Sequence, residues 1–300
     1  MGITHLAGLG RHPGAVTAGL SYLVQTYGKR SMWGETVERV LIFTSGEVIS
    51  GTLKAGEVVF NEPFRESGKV VRPGLPVVEV IRKFLEKECP DAELLGCPVD
   101  VHDFSSCFEA VAKVVLKYHP PAKTGKHVWA NVTGGTNQLN LAIAQAAYLS
   151  GAIARLYYTF IADPKHARYL RPFSRDPSDF RFRFIEVLRM SFDERTYYVL
   201  ELLEEKGPLS DEDMLSELRQ RHVGFEGIDL QTFRTDYLHV MDRYTIGKRA
   251  DGKVELTKEG AKSLELFRWE ILRRFSEHRR LSQPEIERLT GDVKLVKFWP

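Results

Sequence analysis

The chain is predicted to be an α/β protein, a doubly wound parallel sheet followed by a smaller helical domain with a hairpin. Three observations lead there. Short β-favouring runs alternate with amphipathic helical segments through the first 160 residues. Two of the strand-to-helix junctions carry glycine-rich turns. After Met190 the texture changes to successive helices, a hairpin signal at Asp251-Gly252 and another helix.

Ile3 to Leu9 reads as the first strand, running into Gly8-Leu-Gly-Arg-His-Pro-Gly14, and Ala15 to Tyr27 has helical spacing of apolar residues. Pro13 suits a helix start, while Gly10 and Gly14 let the backbone approach a ligand. Arg11 and His12 project from this turn toward any phosphate or ribose bound there. Val37 to Thr44 is the second buried strand and ends in Ser45-Gly46. Between Glu47 and Gly74 the alternating segments VIS-GTLKAG-EVVF, with turn residues at Gly51 and Gly56, read as a hairpin inserted beyond that strand. It is either a ligand cover or an elaborated surface loop.

Leu75 to Glu88 is an amphipathic helix, Ala92 to Val99 a strand and Phe104 to Tyr118 a helix ended by Pro120-Pro121. The next unit is the most informative. Val128 to Val132 is a β-favouring run, Gly134 and Gly135 permit a tight turn, and the Ala-rich segment from Gln138 has strong helix propensity. A helix that starts where a parallel strand ends presents free N–H groups and a positive dipole end to an anion. Thr133 and Thr136 add hydroxyls beside them. The turns at Gly10 and Gly134 are expected to face one another across the topological switch point of the sheet.

Ala154 to Ile161 and Phe180 to Val187 are further strands. Between them Asp163 to Arg175 carries Lys165, His166, Arg168, Arg171 and Arg175 among aromatics, either a basic surface connection or a source of phosphate contacts, with Lys165 and Arg168 foremost. Beyond it, Asp193 to Lys206, Ser210 to Arg221 and Leu230 to Tyr244 are helical. Two short strands within Ile246 to Leu256 and a helix from Thr257 complete the order of a winged helix-turn-helix. Its candidate DNA contacts are Arg234 and Arg243 on the third helix and Lys248 and Arg249 on the hairpin, but Asp229, Asp236 and Asp242 oppose them. The expected boundaries are 1–188 and 189–300, with the tail from Leu281 docking Phe298 and Trp299 on something apolar.

Composition narrows the class. The 300 residues are 43% hydrophobic and 27% charged, without an apolar run of membrane length or a signal-peptide pattern, so a cytoplasmic protein is expected. Cys89, Cys97 and Cys107 have neither disulfide-framework nor metal spacing; they read as core residues, and no metal or cofactor is expected. The overall charge of +2 is uneven: from Ser191 onward 19 Lys+Arg face 22 Asp+Glu, a net −3, which leaves +5 for residues 1–190. That distribution suits a compact anionic ligand in the first part.

Taken together, GLGRHPGAVTAGLSYL at 8–23 and NVTGGTNQLNLAIAQAA at 131–147 resemble the two ligand-binding motifs of CARF domains, the CRISPR-associated Rossmann-fold sensors of cyclic oligoadenylates made by type III CRISPR complexes. The resemblance covers roughly residues 1–185, and a winged helix after the sensor fits the same family. It implies a C2 homodimer with one ring, cyclic tetraadenylate foremost, across the two-fold axis. It also implies contacts from Gly10, Arg11 and His12 of the first turn, and from Thr133, Gly134, Gly135, Thr136 and Asn137 of the second. Asn137 departs from the Lys or Arg often found after GGT, so a cation must come from Arg11, Lys165 or Arg168.

Two functions follow from the resemblance. One is a sensor whose winged helix responds to the ring, with double-stranded DNA as a candidate partner. The other is a metal-independent ring nuclease, with His12 as general base and Arg11, Ser45 or Lys165 stabilising the phosphorane. A HEPN ribonuclease is disfavoured: the Arg-x4-His spacings at Arg234–His239 and Arg273–His278 lack room for a separate helical bundle. A generic dinucleotide enzyme is disfavoured too, because there is no GxGxxG run and VLIFTSG closes without an acidic residue.

Overall fold

A computed structural model describes residues 2–28, 36–118, 127–150, 152–176, 178–185, 194–238, 241, 246–268 and 281–299. The chain divides into two compact units, Met1–Met190 with Glu277–Pro300, and Ser191–Ser276. Assigning everything beyond residue 188 to the second domain therefore needs correcting at its end: the tail lies with the first unit.

In the first unit the elements run β1 (Gly2–Gly8), α1 (Gly14–Tyr27), β2 (Thr36–Thr44), α2 (Gly46–Ile49), β3 (Val58–Asn61), β4 (Gly68–Val71), α3 (Val77–Glu88), β5 (Glu93–Pro98), α4 (Phe104–Tyr118), β6 (His127–Asn131), α5 (Asn137–Ser150), β7 (Ile153–Ile161) and β8 (Phe180–Ile185). The seven-stranded sheet has the order tail strand, β5, β2, β1, β6, β7, β8. Five central strands are parallel, whereas β8 pairs antiparallel with β7 and Val296–Trp299 of the tail pairs antiparallel with β5. The doubly wound parallel sheet expected from the sequence is present, bounded at both edges by antiparallel strands.

Right-handed crossovers explain the layers. From β1 the chain steps through α1 to β2 and through α3 to β5, and α1 packs on α3. It then crosses back through α4 to β6 and on through α5 to β7, and α4 packs on α5 on the other face. The direction of winding reverses between β1 and β6, which are direct neighbours. Burial follows: β1 is buried along its whole length, and Leu20, Val40, Ile42, Ile81, Phe84 and Leu94 join one fully buried cluster. All three cysteines lie in this interior, where burial pushes the thiols of Cys89 and Cys97 up to about 12 and that of Cys107 to about 11.

The inserted hairpin is real but lies later than the sequence pattern suggests. Glu47–Ile49 belong to the helical turn α2, opened by the extended Ser45, and the hairpin is β3 with β4. The hairpin is held by the loop that follows β7: Leu170 N–H donates to Val59 O at 3.1 Å. Asn61 Nδ2 donates to Arg171 O at 3.1 Å, and Arg171 donates in turn to Asn61 O at 2.6 Å and to Glu88 at 2.9 Å. Arg171, only 2% exposed, is therefore a structural cation rather than a ligand contact.

The second unit contains α6 (Glu194–Lys206), α7 (Asp211–Arg221), α8 (Leu230–Phe233), β9 (Ile246–Lys248), β10 (Val254–Leu256) and α9 (Lys258–Arg268) around a core that includes Leu200, Met214, Leu218, Phe225, Phe233 and Leu264. The regular third helix expected over 230–244 is interrupted. After α8 the backbone widens to π-helical turns over Arg234–Leu238, where Thr235 Oγ1 bonds back to Gln231 O at 3.1 Å. The hairpin turns at Gly252, whose φ of 80° is open to glycine at no steric cost.

The tail then forms α10 (Gln283–Thr290) and β11 (Val296–Trp299). A capping box between Ser282 and Glu285 opens α10, which packs on α4, and Lys113 bonds Asp292 at 2.5 Å. Phe298 and Trp299 pack against the buried cluster of the first unit, as the apolar tail end predicts, and Arg82 lies over the Trp299 ring. No helix among the described residues is long and apolar enough to cross a membrane.

Candidate functional site

Parallel pairing of Ala7 with Asn131 brings the two glycine turns to the same point on the carboxyl edge of the sheet. They touch through bare backbone. A Cβ added to Gly134 would stand 2.6 Å from Gly8 O, and one added to Gly8 would stand 2.6 Å from Gly134 O. Gly135 has φ 88° and would place a Cβ 3.1 Å from Gly8 Cα. Gly10, by contrast, faces open space.

Hydrogen bonds fix this arrangement. Asn131, at the end of β6, donates from Nδ2 to Ala15 O at 3.0 Å and accepts from Thr133 N–H at 2.8 Å. One side chain thus ties the start of α1 to the second turn. Thr44 Oγ1 donates to Leu9 O at 2.7 Å, anchoring the first turn to β2. The two threonine hydroxyls are largely committed: Thr136 Oγ1 donates to Val101 O at 2.7 Å, and Thr133 Oγ1 accepts from Thr159 N–H at 2.7 Å. They position the turn rather than stand open beside it. The N–H groups of Asn137 and Gln138, in the first turn of α5, have no intrahelical acceptor and retain the positive end of the helix dipole.

Two clefts meet at His12 and Ala167. The first, about 390 Å³, is lined by His12, Pro13, Gly56, Glu57, Lys165 and Arg168 among others. The second, about 440 Å³, runs from His12 past Val132 and Thr133 to Tyr158 and Phe160. Gly14 accommodates the short helical segment Pro164–Arg168, since a Cβ there would stand 2.4 Å from Ala167 O. Asp163 caps that segment by accepting from Lys165 N–H at 2.8 Å. Arg168 donates to Glu57 at 2.6 Å, so the insertion before β3 does line the groove beside His12.

The expected residues therefore separate into groups. His12, Lys165, Arg168 and Thr133 line the joined groove; Gly134, Gly135, Thr136 and Asn137 form its neighbouring turn; Gly10 and the exposed Arg11 lie in the first turn outside both clefts. Ser45 stands at the start of α2 after β2, makes no capping side-chain hydrogen bond and lines neither cleft. His166 is held among Phe173, Phe180 and Tyr169, with the Phe173 centroid 4.5 Å away, and serves packing. Sequence reasoning missed Glu57, Tyr158, Phe160 and Asn131. Two exposed aromatics on alternate positions of β7, and a polar residue ending the apolar run of β6, were the available signals.

In the second unit Arg234 is bound by Asp211 and Glu212, each at 2.7 Å, which occupies its guanidinium. Lys248 and Arg249 are exposed, with Arg249 3.6 Å from Glu255. Arg243 and the Arg273–His278 segment lie outside the described residues.

No protein-family model matches the chain. An uncharacterized protein of Archaeoglobus fulgidus is 30% identical over 193 residues, which is 54% of this chain and 58% of that protein. The chain thus spans little more than half the length of its curated relative. Among solved structures, Enterococcus italicus Csm6 bound to cyclic hexa-2'-fluoro-hexa-dAMP aligns over 81% of this chain and 54% of its own, at 15% identity and a TM-score of 0.39. Can2 from Sulfobacillus thermosulfidooxidans, in complex with cyclic tetra-adenylate, aligns over 91% and 63%, at 11% identity and a TM-score of 0.32. The seven-stranded sheet, whose winding reverses between β1 and β6, is itself a doubly wound α/β fold with its candidate site at the switch point.

Proposed function

We propose that this chain is a homodimeric sensor of a cyclic oligoadenylate, with cyclic tetraadenylate the first ring to test, and that its second unit is a winged helix that changes DNA or partner binding in response. The observation that carries the reading is the backbone-to-backbone contact of the two motif turns at the switch point, beside an open groove with cations. There the α5 N-terminus meets phosphate, while His12, Lys165 and Arg168 supply side-chain contacts. Glu57 holds Arg168 until an anion competes for it. The cation expected after GGT is replaced from the 164–168 segment rather than by Asn137. In the second unit, Lys248 and Arg249 of the hairpin are the DNA contacts to test, because Arg234 is engaged by its own carboxylates.

Incubation with cyclic tetra- and hexaadenylate, with calorimetry, chromatography of the products and sedimentation in parallel, tests the reading. Tight binding of one intact ring per two chains supports it; absence of binding to either ring removes it.

One arrangement favours a second reading, a ring nuclease. His12 and Lys165 share one cleft, so a base for a ribose 2′-hydroxyl and a cation for the developing phosphorane stand on the same groove. Attack of that 2′-oxygen on the neighbouring phosphorus would expel the 5′-oxygen and leave a linear product with a 2′,3′-cyclic phosphate. Linear adenylates formed by the wild type and not by His12→Ala would establish this activity.

A further inference from the structure

β7 outruns the strand it lies against. β6 ends at Asn131, opposite Tyr157, whereas β7 continues to Ile161. Over that overhang β7 is paired on its other side alone, with β8, as far as Ile161 opposite Phe180. The alternation of a strand decides which backbone groups are left over. Tyr157 O accepts from Val132 N–H at 2.9 Å, and Thr159 N–H donates to Thr133 Oγ1 at 2.7 Å. Residues 157, 159 and 161 therefore turn their backbone groups toward β6 and its turn, and the residues between them turn theirs toward β8. Ala162 N–H continues that second series by donating to Asp179 O at 3.1 Å.

Thr159 C=O and Ile161 N–H thus point to the side where β6 has ended, and neither has a hydrogen-bond partner among the described residues. Both residues line the cleft of about 440 Å³ that also holds His12, Ala15 and Thr133. Thr159 is only 4% exposed, so its carbonyl gains little from bulk solvent, and an unmade backbone bond there favours any ligand that completes it. An acceptor followed two residues on by a donor is the pair that one residue of a further parallel strand would engage with its own N–H and C=O.

We propose that this overhanging edge of β7 reads the base of a bound adenylate. Thr159 C=O accepts from the exocyclic amine of adenine, and Ile161 N–H donates to the adjacent ring nitrogen. The inference rests on the groove being a cyclic oligoadenylate site and names what selects the base there. Adenine carries a donor and an acceptor side by side. Guanine and hypoxanthine put an oxygen where the amine stands, which would set two acceptors against each other at Thr159. Because Thr133 holds Thr159 N–H, the reading edge is fixed relative to the motif turn proposed to meet phosphate.

Calorimetry of the full chain with cyclic tetraadenylate and cyclic tetrainosinate, rings of equal size and charge, tests the proposal. Wild type should bind the adenylate ring about tenfold or more tightly. Ile161→Pro removes the donor without removing a bond to β8. It should weaken the adenylate ring about tenfold while leaving the inosinate ring within about threefold, erasing the preference. Equal binding of both rings by wild type overturns the proposal and leaves the ring site standing, as does an undiminished preference in Ile161→Pro. If neither ring binds, the ring site itself fails and AMP against IMP decides the edge. A preference for AMP that Ile161→Pro removes upholds it, and equal binding, or none up to about 5 mM, overturns it. If Ile161→Pro melts well below wild type, a ring of N6,N6-dimethylated adenines replaces that variant: a loss of about tenfold upholds the proposal and undiminished binding overturns it.

Discussion

The contact between the two glycine turns makes a quantitative demand. In Gly134→Ala the new Cβ would stand 2.6 Å from Gly8 O and 3.1 Å from Ala15 Cβ. An ordinary C···O contact is about 3.3–3.6 Å, so the turns must part by roughly 0.7 Å or more. Both partners are backbone in hydrogen-bonded strand ends, where relief by side-chain rotation is not available. Overpacking of this kind costs about 1–3 kcal/mol, which in a unit of some 200 residues lowers Tm by roughly 2–4 °C per kcal/mol. Gly10→Ala is the control. It meets nothing within 4 Å and has no positive φ, so its effect should stay within about 0.5 kcal/mol. The double variant Gly8→Ala/Gly134→Ala should cost less than the sum of its parts, because one separation of the turns relieves both clashes. Urea and thermal unfolding of wild type, Gly8→Ala, Gly134→Ala, Gly10→Ala and the double variant, with ring titration of each, is the assay. Under the proposed function, Gly134→Ala also weakens cyclic tetraadenylate binding by about tenfold or more. A Gly134→Ala protein as stable as Gly10→Ala would refute the argument that these turns need glycine for their approach.

Other consequences concern separate parts of the chain. Burial pushes His5 down to about 3, with its Nε2 2.5 Å from the Tyr157 hydroxyl. Its folded pKa lies below the unfolded value near 6.5, so the stability it contributes is present above pH 6.5 and is lost as pH falls toward 3, at up to roughly 1.4 kcal/mol per pH unit. The difference in unfolding free energy between wild type and His5→Gln should therefore slope across that window; a flat difference would contradict the buried neutral imidazole. Phe298→Ala should destabilise the first unit by roughly 1–3 kcal/mol, whereas the exposed Lys297→Ala should change it little; equal melting of the two would deny the tail its packing role. Lys165→Ala and Arg168→Ala should leave Tm unchanged while weakening ring binding and flattening its salt dependence, as measured by titration at several ionic strengths. Arg234→Ala should lower melting of the second unit without altering DNA affinity, while Lys248→Ala should do the reverse, read by calorimetry and a DNA-binding titration.

The amino-acid sequence alone shows the strand and helix alternation, the two turns and the hairpin at Gly252, because each of these is a local preference. Period-two and period-3.6 apolar patterns, glycine tolerance and Asp-Gly turn chemistry act within a few residues. It also placed both turns at one switch point, since right-handed crossovers leave few ways to wind such a chain. What depends on distant residues was decided only by the tertiary structure. The insertion pairs as Val58–Asn61 with Gly68–Val71 because Asn61, Val59 and the 164–180 segment fix it, and Glu47–Ile49 turned helical instead of extending. Arg168 reaches the groove while Arg171, three residues on, is buried against Glu88, although both sit in the same basic run. The tail returns across the chain to complete the sheet at β5, where Phe298 and Trp299 find apolar surface that no local signal names. Charge and hydropathy say what a side chain requires, but which neighbour meets the requirement is set by contacts across more than a hundred residues of chain, such as Arg171 with Asn61 and Asn131 with Ala15.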